Sequence, residues 1–409
     1  MFEISKKSKS VLGTLNISGS KSESNRLLAL RGFATYFEIN NISDSDDTKV
    51  MMSAINSNQE KIDIGHAGTA MRFLTSYFSS IENSSVILTG SKRMRERPIS
   101  VLVDALKELD VDISYLENEG YPPIRINGRV IKKKQVNLPA NVSSQYISSL
   151  MMLGVSLQKG LVINLSTEII SLPYIEMTKI IIERIGGSVE LKPNQIVINS
   201  LSNKKIPSQL VESDWSSASY FYSVVALSDS SNLTLNTYYK DSIQGDSDLV
   251  EIYKNFGVKT TYINNGIHLS KSDEKIEKKI SLDLSNNPDL AQTIVVTCLG
   301  LGIDCDLYGL QTLKIKETDR LKALKSEIEK FGVDKIEITE DSLHLENNSQ
   351  LKSHISIDTY NDHRMAMSFA PLSLLNPIVI NDPMVVTKSY VSFWDHLKKL
   401  GFEISKINS

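Results

Sequence analysis

One pattern recurs six times along the 409 residues, and it constrains the fold more than any other feature of the chain. Each copy opens with polar or small residues of the kind that cap helices, and an apolar run rich in Ala, Ser, Leu and Met follows. The apolar runs are residues 27–34, 73–78, 146–155, 218–227, 290–301 and 365–375. Because the runs are apolar on nearly every face, they predict six enclosed helices.

A second kind of helix is predicted between these runs. Its apolar residues are three and four positions apart, and a glycine usually ends it before a short strand. Leu321, Leu324 and Ile328 precede Gly332 in this way. The candidate at residues 50–55 lacks the glycine and is the weakest of the set. Alternating β-branched residues predict strands in the gaps, including residues 86–88, 162–165 and 233–235.

The spacing of the copies predicts the architecture. From the second copy onward the enclosed helices recur at intervals of about 70 residues, which indicates six helix-and-sheet repeats. Six repeats divide naturally into three and three. We therefore predict an α/β protein of two domains, each with three repeats whose sheets pack around buried helices. No linker rich in Pro, Gly or Ser separates the halves, so the boundary is soft.

Charge and composition exclude several classes of protein. The 45 basic and 48 acidic residues give a formal net charge of −3, without the basic field of a nucleic-acid binder. No apolar leader follows residues 1–7, and the most apolar stretch, 294–303, is too short to span a bilayer. Cys298 and Cys305 form neither a disulfide framework nor paired zinc ligands. We expect a cytoplasmic protein that binds no nucleic acid, membrane or metal.

Cations stand at or near the predicted helix starts, where free N–H groups and the helix dipole already favour anions. They are Lys21, Arg26, Arg72, Arg97, Arg320, Arg364 and Lys388, of which Arg97 and Lys388 would open helices of the second kind. For any one of them alone, a solvated or capping side chain is the simpler interpretation. Their shared position favours anion binding. If both domains direct these starts at one cleft, the cations bind a ligand with several negative groups.

Acidic residues lie among these cations. Residues 316–320 read Lys-Glu-Thr-Asp-Arg, and residues 361–364 read Asn-Asp-His-Arg. As helix caps, Asp319 and Asp362 would each contribute about 1 kcal/mol of stability. Glu317 is a candidate for proton transfer only if burial or a bound phosphate opposes its basic neighbour. Gly68 before Thr69 allows an anion to approach the backbone, but no dinucleotide or P-loop pattern is present.

Together these segments resemble the 5-enolpyruvylshikimate-3-phosphate synthase family, also called the 3-phosphoshikimate 1-carboxyvinyltransferases. The matching motifs follow in order: residues 19–26, 67–72, 97–99, 143–145, 173–174, 214–219, 288–289, 316–321 and 361–367. The resemblance implies the enolpyruvyl transferase fold, with two domains of three βαβαββ repeats. Domain 1 would comprise residues 1–18 and 214–409 on the phosphoenolpyruvate side. Domain 2 would comprise residues 19–213 on the shikimate-3-phosphate side.

The resemblance also assigns substrate contacts. Contacts with shikimate-3-phosphate would come from Lys21, Ser22, Arg26, Ser143, Ser144, Gln145, Ser171, Tyr174, Asp289 and Lys316. Contacts with phosphoenolpyruvate would come from Lys21, Gly68, Arg97, Gln145, Arg320, Arg364 and Lys388. Planar guanidinium groups suit both the phosphate and the carboxylate of phosphoenolpyruvate.

The implied activity is transfer of the enolpyruvyl group of phosphoenolpyruvate to the 5-hydroxyl of shikimate-3-phosphate, on the route to chorismate and the aromatic amino acids. Asp289 would orient and deprotonate the hydroxyl, and Glu317 would handle the proton at C3. Lys21 and Arg97 would stabilise the developing charge. The resemblance implies no metal or organic cofactor, and we expect a monomer.

Three positions depart from the family pattern. His66 stands where Asn is usual, Thr312 where an Asn often contacts the shikimate ring, and Phe73 where Pro is common. The first two affect contacts with hydroxyl groups and anions, and the third affects the helix that carries Gly68. Because Gly68 is retained, the resemblance implies that glyphosate competes with phosphoenolpyruvate.

Two alternatives stay open. Relatives that transfer enolpyruvate to UDP-N-acetylglucosamine usually carry a reactive cysteine in the first half, whereas both cysteines lie in the second half here. A non-catalytic anion-binding protein on the same scaffold would be expected to lose Asp289 or Glu317, and both are present.

Overall fold

The chain divides into two compact units. A computed structural model describes residues 1–34, 36–169, 171–201, 205–274, 276–347 and 351–407. Unit 1 comprises Met1–Ser18 and Glu212–Ser409, and unit 2 comprises Gly19–Val211. The chain therefore begins in unit 1, runs through all of unit 2 and then returns. The return lies between Val211 and Glu212, two residues before the predicted boundary.

Unit 1 opens with two strands, β1 (Phe2–Ser5) and β2 (Ser10–Leu15). Unit 2 then contains α1 (Lys21–Phe33), β3 (Ile39–Asn40), α2 (Asp46–Ile55), β4 (Lys61–Asp63), α3 (Gly68–Ser79), β5 (Ser85–Thr89), α4 (Lys92–Arg95), α5 (Ser100–Glu108), β6 (Asp112–Tyr115), β7 (Ile124–Asn127), β8 (Gln135–Leu138), α6 (Ser144–Ser156), β9 (Leu161–Leu165), α7 (Leu172–Arg184), β10 (Ser188–Lys192), β11 (Gln195–Asn199) and β12 (Gln209–Leu210).

The remainder of unit 1 follows. Its elements are α8 (Trp215–Leu227), β13 (Ser230–Asn236), α9 (Leu249–Ile252), β14 (Val258–Ile263), β15 (Gly266–Lys271), β16 (Lys279–Asp283), α10 (Ala291–Leu301), β17 (Asp304–Tyr308), α11 (Arg320–Glu329), β18 (Lys335–Ile338), β19 (Leu343–Glu346), β20 (Ile355–Ile357), α12 (His363–Phe369), β21 (Ile378–Ile380), α13 (Phe393–Lys399) and β22 (Glu403–Lys406). The strands predicted at residues 86–88, 162–165 and 233–235 lie in β5, β9 and β13.

The sheets confirm the βαβαββ repeat. In one repeat of unit 2, β4 is parallel to β5, and the antiparallel pair β6 and β7 follows, with the sheet order β4-β5-β7-β6. The same order recurs as β8-β9-β11-β10 in unit 2 and as β16-β17-β19-β18 in unit 1. Two sheets of unit 1 take one strand each from the N-terminus: β2 joins β13, and β1 lies between β21 and β22.

The first repeat of unit 2 is reduced. In the described part of the chain its sheet has two strands, β3 and β12, which pair in parallel over two residues each. This repeat contains α2, at the segment where the sequence pattern was weakest. In other repeats a glycine ends the second kind of helix, and an antiparallel pair of strands follows. No such glycine ends α2, and its repeat has no antiparallel pair in the described residues.

The predicted enclosed helices form the interior of each unit. In α8, every residue except Ser216 is buried. Small hydroxyl groups link these helices: Ser219 of α8 lies 3.1 Å from Thr293 of α10, which lies 3.3 Å from Ser368 of α12. In unit 2, Ser149 of α6 donates to Ser76 of α3 at 2.6 Å. The Ser-rich runs therefore fold as buried helices because their hydroxyl groups satisfy one another.

Three predicted helices differ in detail. Before α10, Pro288–Leu290 form a 3₁₀ turn. After α12, Ala370–Leu374 continue as a 3₁₀ turn because Pro371 has no N–H for a helical hydrogen bond. The prediction that Lys388 opens a helix is wrong: it ends a 3₁₀ turn, Pro383–Lys388, and α13 begins only at Phe393.

The described residues contain neither a helix suited to a membrane nor a cluster suited to a metal ion. No helix in those ranges has the length and apolarity that crossing a membrane requires. Likewise, no set of three His, Cys, Asp or Glu side chains in the described part of the chain is arranged as metal ligands would be.

Candidate active site

Arg320 is the centre of a buried ion cluster in unit 1. Its side chain is 2% exposed, and its guanidinium group donates to three carboxylates. The distances are 2.7 Å from Nε to Asp362, 2.8 Å from Nη1 to Asp289 and 2.9 Å from Nη2 to Glu317. Each of the three nitrogens of Arg320 therefore has a carboxylate partner.

Asp289 connects Arg320 to two further cations. Arg364 donates from Nη2 to Asp289 Oδ2 at 3.1 Å and from Nη1 to the Asp289 carbonyl oxygen at 3.1 Å. Lys316 Nζ lies 3.5 Å from Asp289 Oδ1. The 3₁₀ turn before α10 presents this carboxylate. Asp289 is thus the shared partner of three predicted substrate-binding cations.

Glu317 holds the last cation of the cluster. Lys388 Nζ lies 2.5 Å from Glu317 Oε1, while Arg320 occupies Oε2. Lys388 reaches this position from the end of its 3₁₀ turn. The structure therefore brings together six predicted site residues in unit 1: Asp289, Lys316, Glu317, Arg320, Arg364 and Lys388.

The cluster shifts the protonation of its members. Burial alone would raise the pKa of Asp289, but Arg364, Lys316 and Arg320 outweigh it and hold the pKa well below the usual value. Burial alone would lower the pKa of Arg320, but Asp362, Glu317 and Asp289 raise it. Asp289 is therefore ionised in this state, and Arg320 keeps its charge.

The backbone before α12 adopts an uncommon conformation that positions Asp362 and Arg364. Tyr360 and Asn361 both adopt left-handed conformations, with φ of 52° and 54°, which is uncommon for residues other than glycine. Asp362 then caps α12, accepting from the Arg364 N–H at 2.9 Å. Asp319 caps α11 in the same manner. Both predicted caps are confirmed, and Asp362 in addition binds Arg320.

In unit 2, Arg26 is buried among neutral groups. Its guanidinium donates to Thr178 Oγ1 at 2.7 Å, to the Ser22 carbonyl at 2.9 Å, and to Ser148 Oγ and the Tyr174 carbonyl at 3.2 Å. Burial lowers the pKa of Arg26 to about 10, against the raising effects of Tyr174 and Glu23. Arg26 thus joins the predicted residues Ser22 and Tyr174 in one cluster.

Gly68 and Arg97 are in close contact. A Cβ atom on Gly68 would lie 2.5 Å from Arg97 Nη1, so only glycine leaves that guanidinium in place. The Gly68 carbonyl accepts from Arg72 Nη1 at 3.0 Å, and Arg72 Nη2 donates to the Pro98 carbonyl. Arg72 therefore connects the start of α3 to the segment that carries Arg97.

The other predicted residues of unit 2 lie at helix starts. Ser143 caps α6 by accepting from the Gln145 N–H at 3.3 Å, and Ser144 follows it. Gln145 Nε2 donates to Thr69 Oγ1 at 3.3 Å, beside Gly68. Ser171 precedes α7 in a left-handed conformation with φ of 54°. Lys21, the first residue of α1, pairs with Asp47 at 3.4 Å.

Five residues near the predicted site residues were not predicted from the sequence. They are Asp47, Ser148, Thr178 and Ser216, which contact predicted residues from distant parts of the chain, and Asp246, which contacts Ser216. The acids at positions 44, 46 and 47, around the start of α2, could have indicated Asp47. Nothing local distinguishes Thr178 or Asp246 from other polar residues of their segments.

Two of the three departures from the family pattern alter local contacts. Phe73 is buried, and its ring centroid lies 5.5 Å from the Arg26 guanidinium carbon, a cation–π distance. His66 Nδ1 lies 3.0 Å from Ser91 Oγ, the cap of α4. The hydroxyl of Thr312 is buried without a hydrogen-bond partner among the described residues.

Solved structures place the fold in a class. EPSP synthase from Acinetobacter baumannii matches with a TM-score of 0.78 at 20% identity, over 99% of each chain. The enolpyruvyl transferase NikO from Streptomyces tendae matches with a TM-score of 0.76 at 12% identity, over 100% of this chain and 99% of its own. The fold is that of the enolpyruvyl transferases.

Sequence comparison defines the family. Residues 54–397 match the model of EPSP synthase (3-phosphoshikimate 1-carboxyvinyltransferase). The 3-phosphoshikimate 1-carboxyvinyltransferase of Bacteroides fragilis strain YCH46 is 43% identical over 96% of both chains. That of Haemophilus influenzae strain PittEE is 35% identical over 95% of this chain and 96% of its own. The chain belongs to the EPSP synthase family of transferases.

Proposed function

We propose that this chain transfers the enolpyruvyl group of phosphoenolpyruvate to the 5-hydroxyl of shikimate-3-phosphate, on the route to chorismate and the aromatic amino acids. Family membership supports the reaction. The observation that carries the assignment of residues is the unit 1 cluster, in which Asp289 and Glu317 are held by four cations. A reaction that moves protons beside a phosphate needs both kinds of group.

The reaction proceeds by addition and then elimination. The 5-hydroxyl oxygen forms a bond to C2 of phosphoenolpyruvate, the hydroxyl loses its proton, and C3 gains a proton to become a methyl group. The C2–O bond to phosphate then breaks and C3 loses a proton, which restores the double bond and releases inorganic phosphate. Atoms and electrons balance in this scheme without a metal or an organic cofactor.

Asp289 is assigned to the hydroxyl proton. With its pKa held well below normal by three cations, the carboxylate is ionised but is a weak base. An anionic substrate that binds Arg364 and Lys316 neutralises part of their charge. The pKa of Asp289 then rises toward its ordinary value, because the cations that depressed it have gained another partner. Substrate binding itself thus makes Asp289 a better base.

Glu317 is assigned to the proton at C3. Both of its oxygens are held, by Lys388 and by Arg320, so its orientation is determined before substrate binds. When the phosphate or carboxylate of phosphoenolpyruvate takes up those donors, Glu317 loses compensating charge and gains affinity for a proton. Binding of the substrate anions to the surrounding cations therefore raises the proton affinity of both Asp289 and Glu317.

Unit 2 is assigned chiefly to shikimate-3-phosphate. Arg26 is a buried guanidinium whose hydrogen bonds go to neutral oxygens, so its charge attracts a phosphate group strongly. Ser22, Ser143, Ser144, Gln145, Ser171 and Tyr174 supply hydroxyl and amide groups for the ring substituents. Lys21, Gly68 and Arg97 are assigned to phosphoenolpyruvate, and Lys21 and Arg97 to stabilising the developing charge.

Further proposals follow from the same site. We expect glyphosate to compete with phosphoenolpyruvate, because Gly68 leaves Arg97 unobstructed. A monomer in the cytoplasm remains our prediction. The cytoplasmic location is supported by the two cysteines, which are free and buried, as suits a reducing compartment.

A coupled assay of phosphate release tests the function. Release with phosphoenolpyruvate and shikimate-3-phosphate, but not with phosphoenolpyruvate and UDP-N-acetylglucosamine, supports the proposal. Release only with the UDP-sugar would assign the chain to the other class of enolpyruvyl transferase. Release with neither acceptor, from protein that still binds shikimate-3-phosphate, would leave a non-catalytic binder.

A further inference from the structure

Ser216 is the exception in an otherwise buried helix, and it faces two charged groups. Its hydroxyl accepts from Arg364 Nη2 at 3.3 Å and donates to Asp246 Oδ2 in a short hydrogen bond. A serine hydroxyl has a single hydrogen, and arginine can only donate. With its hydrogen directed to Asp246, Ser216 must present a lone pair to Arg364. Arg364 can therefore only donate to Ser216, and Asp246 accepts the one hydroxyl hydrogen that Ser216 has to give.

Asp246 is held firmly in its position. It lies on a 3₁₀ turn, Gly245–Asp248, and is 6% exposed. Asn287 donates from Nδ2 to the Gly245 carbonyl at 2.8 Å and to Asp248 Oδ2 at 2.9 Å. Asn287 also stands two residues before Asp289. The turn with Asp246 and the segment with Asp289 are thus tied together around Arg364.

The charges that face Asp246 are those of the candidate active site. They are Arg364 of α12 and Asp289 before α10, with Asp214 at the start of α8. Burial raises the pKa of Asp246 to about 6; Arg364 and the Ser216 hydrogen bond oppose the increase, and the two other carboxylates add to it. Arg364 therefore has a second anionic partner, which it contacts through a hydroxyl group.

We propose that Asp246 is a positioning residue for the transferase reaction, which acts through Ser216 to hold the guanidinium of Arg364 for phosphoenolpyruvate. The assignment rests on the proposed function. Asp289 also accepts directly from the same nitrogen of Arg364. Once Asp289 turns to the substrate hydroxyl, that constraint is lost. The Ser216–Asp246 pair keeps Nη2 in place at this stage, so Arg364 meets its anion without reordering.

Three variants test the proposal by steady-state kinetics well above the pKa of Asp246. Ser216→Ala and Asp246→Ala should raise KM for phosphoenolpyruvate roughly tenfold and change kcat less than about threefold, since the lost contact orients a binding group. Asp246→Asn should restore KM to within about threefold of the unaltered chain, because its amide oxygen still accepts from Ser216.

A matched control separates positioning from stability. Ser223 lies two turns further along α8, is buried and accepts from Thr297 at 2.8 Å, so Ser223→Ala removes a comparable hydroxyl away from Arg364. It should leave KM for phosphoenolpyruvate unchanged. Unchanged KM in Ser216→Ala, or equal losses in Ser216→Ala and Ser223→Ala, would overturn the role of Ser216 and Asp246. Absence of turnover in the unaltered chain would instead overturn the proposed function on which the role rests.

Discussion

The two units hold their buried arginines in opposite ways. Arg320 of unit 1 donates to three carboxylates, whereas Arg26 of unit 2 donates to two hydroxyl groups and two carbonyl oxygens. Both guanidinium groups are 2% exposed. Their pKa values move apart accordingly: that of Arg320 is raised, and that of Arg26 falls to about 10.

This difference separates two ways of binding an anion. An arginine among neutral groups gains its first ionic partner when the anion arrives, so it favours tight binding of an unreactive phosphate. An arginine among carboxylates already has ionic partners, and an anion that shares or replaces one of them changes the proton affinity of that carboxylate. Unit 1 is thus suited to proton transfer and unit 2 to anchoring.

The largest expected effect is on turnover. Asp289→Ala and Glu317→Gln should each lower kcat at least ~10²-fold, because positioned acid or base groups typically contribute that much. Phosphate release measures this loss, and thermal melting checks that the variants are folded. Glu23→Gln supplies the control in unit 2, where a buried carboxylate pairs with Arg184. Near-normal turnover in Asp289→Ala or Glu317→Gln would remove the assigned role of that residue.

The same substitution in both units compares stability directly. Arg320→Met leaves three carboxylates in a buried cluster without their cation and should cost about 3–5 kcal/mol of unfolding free energy at neutral pH. Arg26→Met leaves only neutral groups without a partner and should cost about 1–3 kcal/mol. Urea unfolding at neutral and at mildly acidic pH measures both.

Lowering the pH further distinguishes the stability losses of Arg320→Met and Arg26→Met. Protonation of the carboxylates should shrink the loss in Arg320→Met as the pH falls, and the loss in Arg26→Met should change little. Equal losses with the same pH trend would show that the contrast between the units has no energetic meaning.

The raised pKa of Asp246 predicts how the free energy of unfolding changes with pH. Its folded pKa of about 6 exceeds the ordinary value of 3.8, so the folded state binds the extra proton between these values. Stability from this group is complete below about pH 4 and is lost as the pH rises to about 6, by ~3 kcal/mol at most. The stability of the unaltered chain relative to Asp246→Asn should fall over this interval and then level off. Ser223→Ala, which removes a buried hydroxyl and no ionisable group, serves as the control and should give no such trend.

The smallest effect concerns an uncharged residue. Gly68→Ala places a methyl group against Arg97 and should raise KM for phosphoenolpyruvate about tenfold, equivalent to ~1.4 kcal/mol of binding free energy. Ser80→Ala, at the other end of the same helix, serves as the control. A Gly68→Ala variant with unchanged KM would mean that Arg97 adapts freely, and the assignment of Arg97 would lose its geometric support.

The sequence predicted features that depend on neighbouring residues. The enclosed helices follow from runs such as residues 218–227, because apolar residues on all faces require burial. The caps at Asp319 and Asp362 follow from their positions directly before α11 and α12. Cation-bearing helix starts also pointed to the ion cluster of unit 1, where Arg320 and Arg364 meet at Asp289.

Contacts between residues far apart in the sequence could not be predicted from local patterns. Nothing near Lys21 indicates that its partner is Asp47, and nothing near Arg364 indicates Asp246. The helix start predicted at Lys388 is instead the end of a 3₁₀ turn, with Asp382 in a left-handed conformation before it. Long-range pairing and irregular turns depend on tertiary packing, which a single local pattern does not encode.

The interleaved strands of unit 1 impose an order on biosynthesis. Strand β2 pairs with β13, whose residues are translated more than 200 positions later, and β1 finds its neighbours only in β21 and β22. Unit 2 can emerge from the ribosome and close its sheets while the N-terminal strands still have exposed edges. Strands β1 and β2 are therefore made before unit 2 but paired after it, and any chain that stops before Glu403 leaves β1 with one open side.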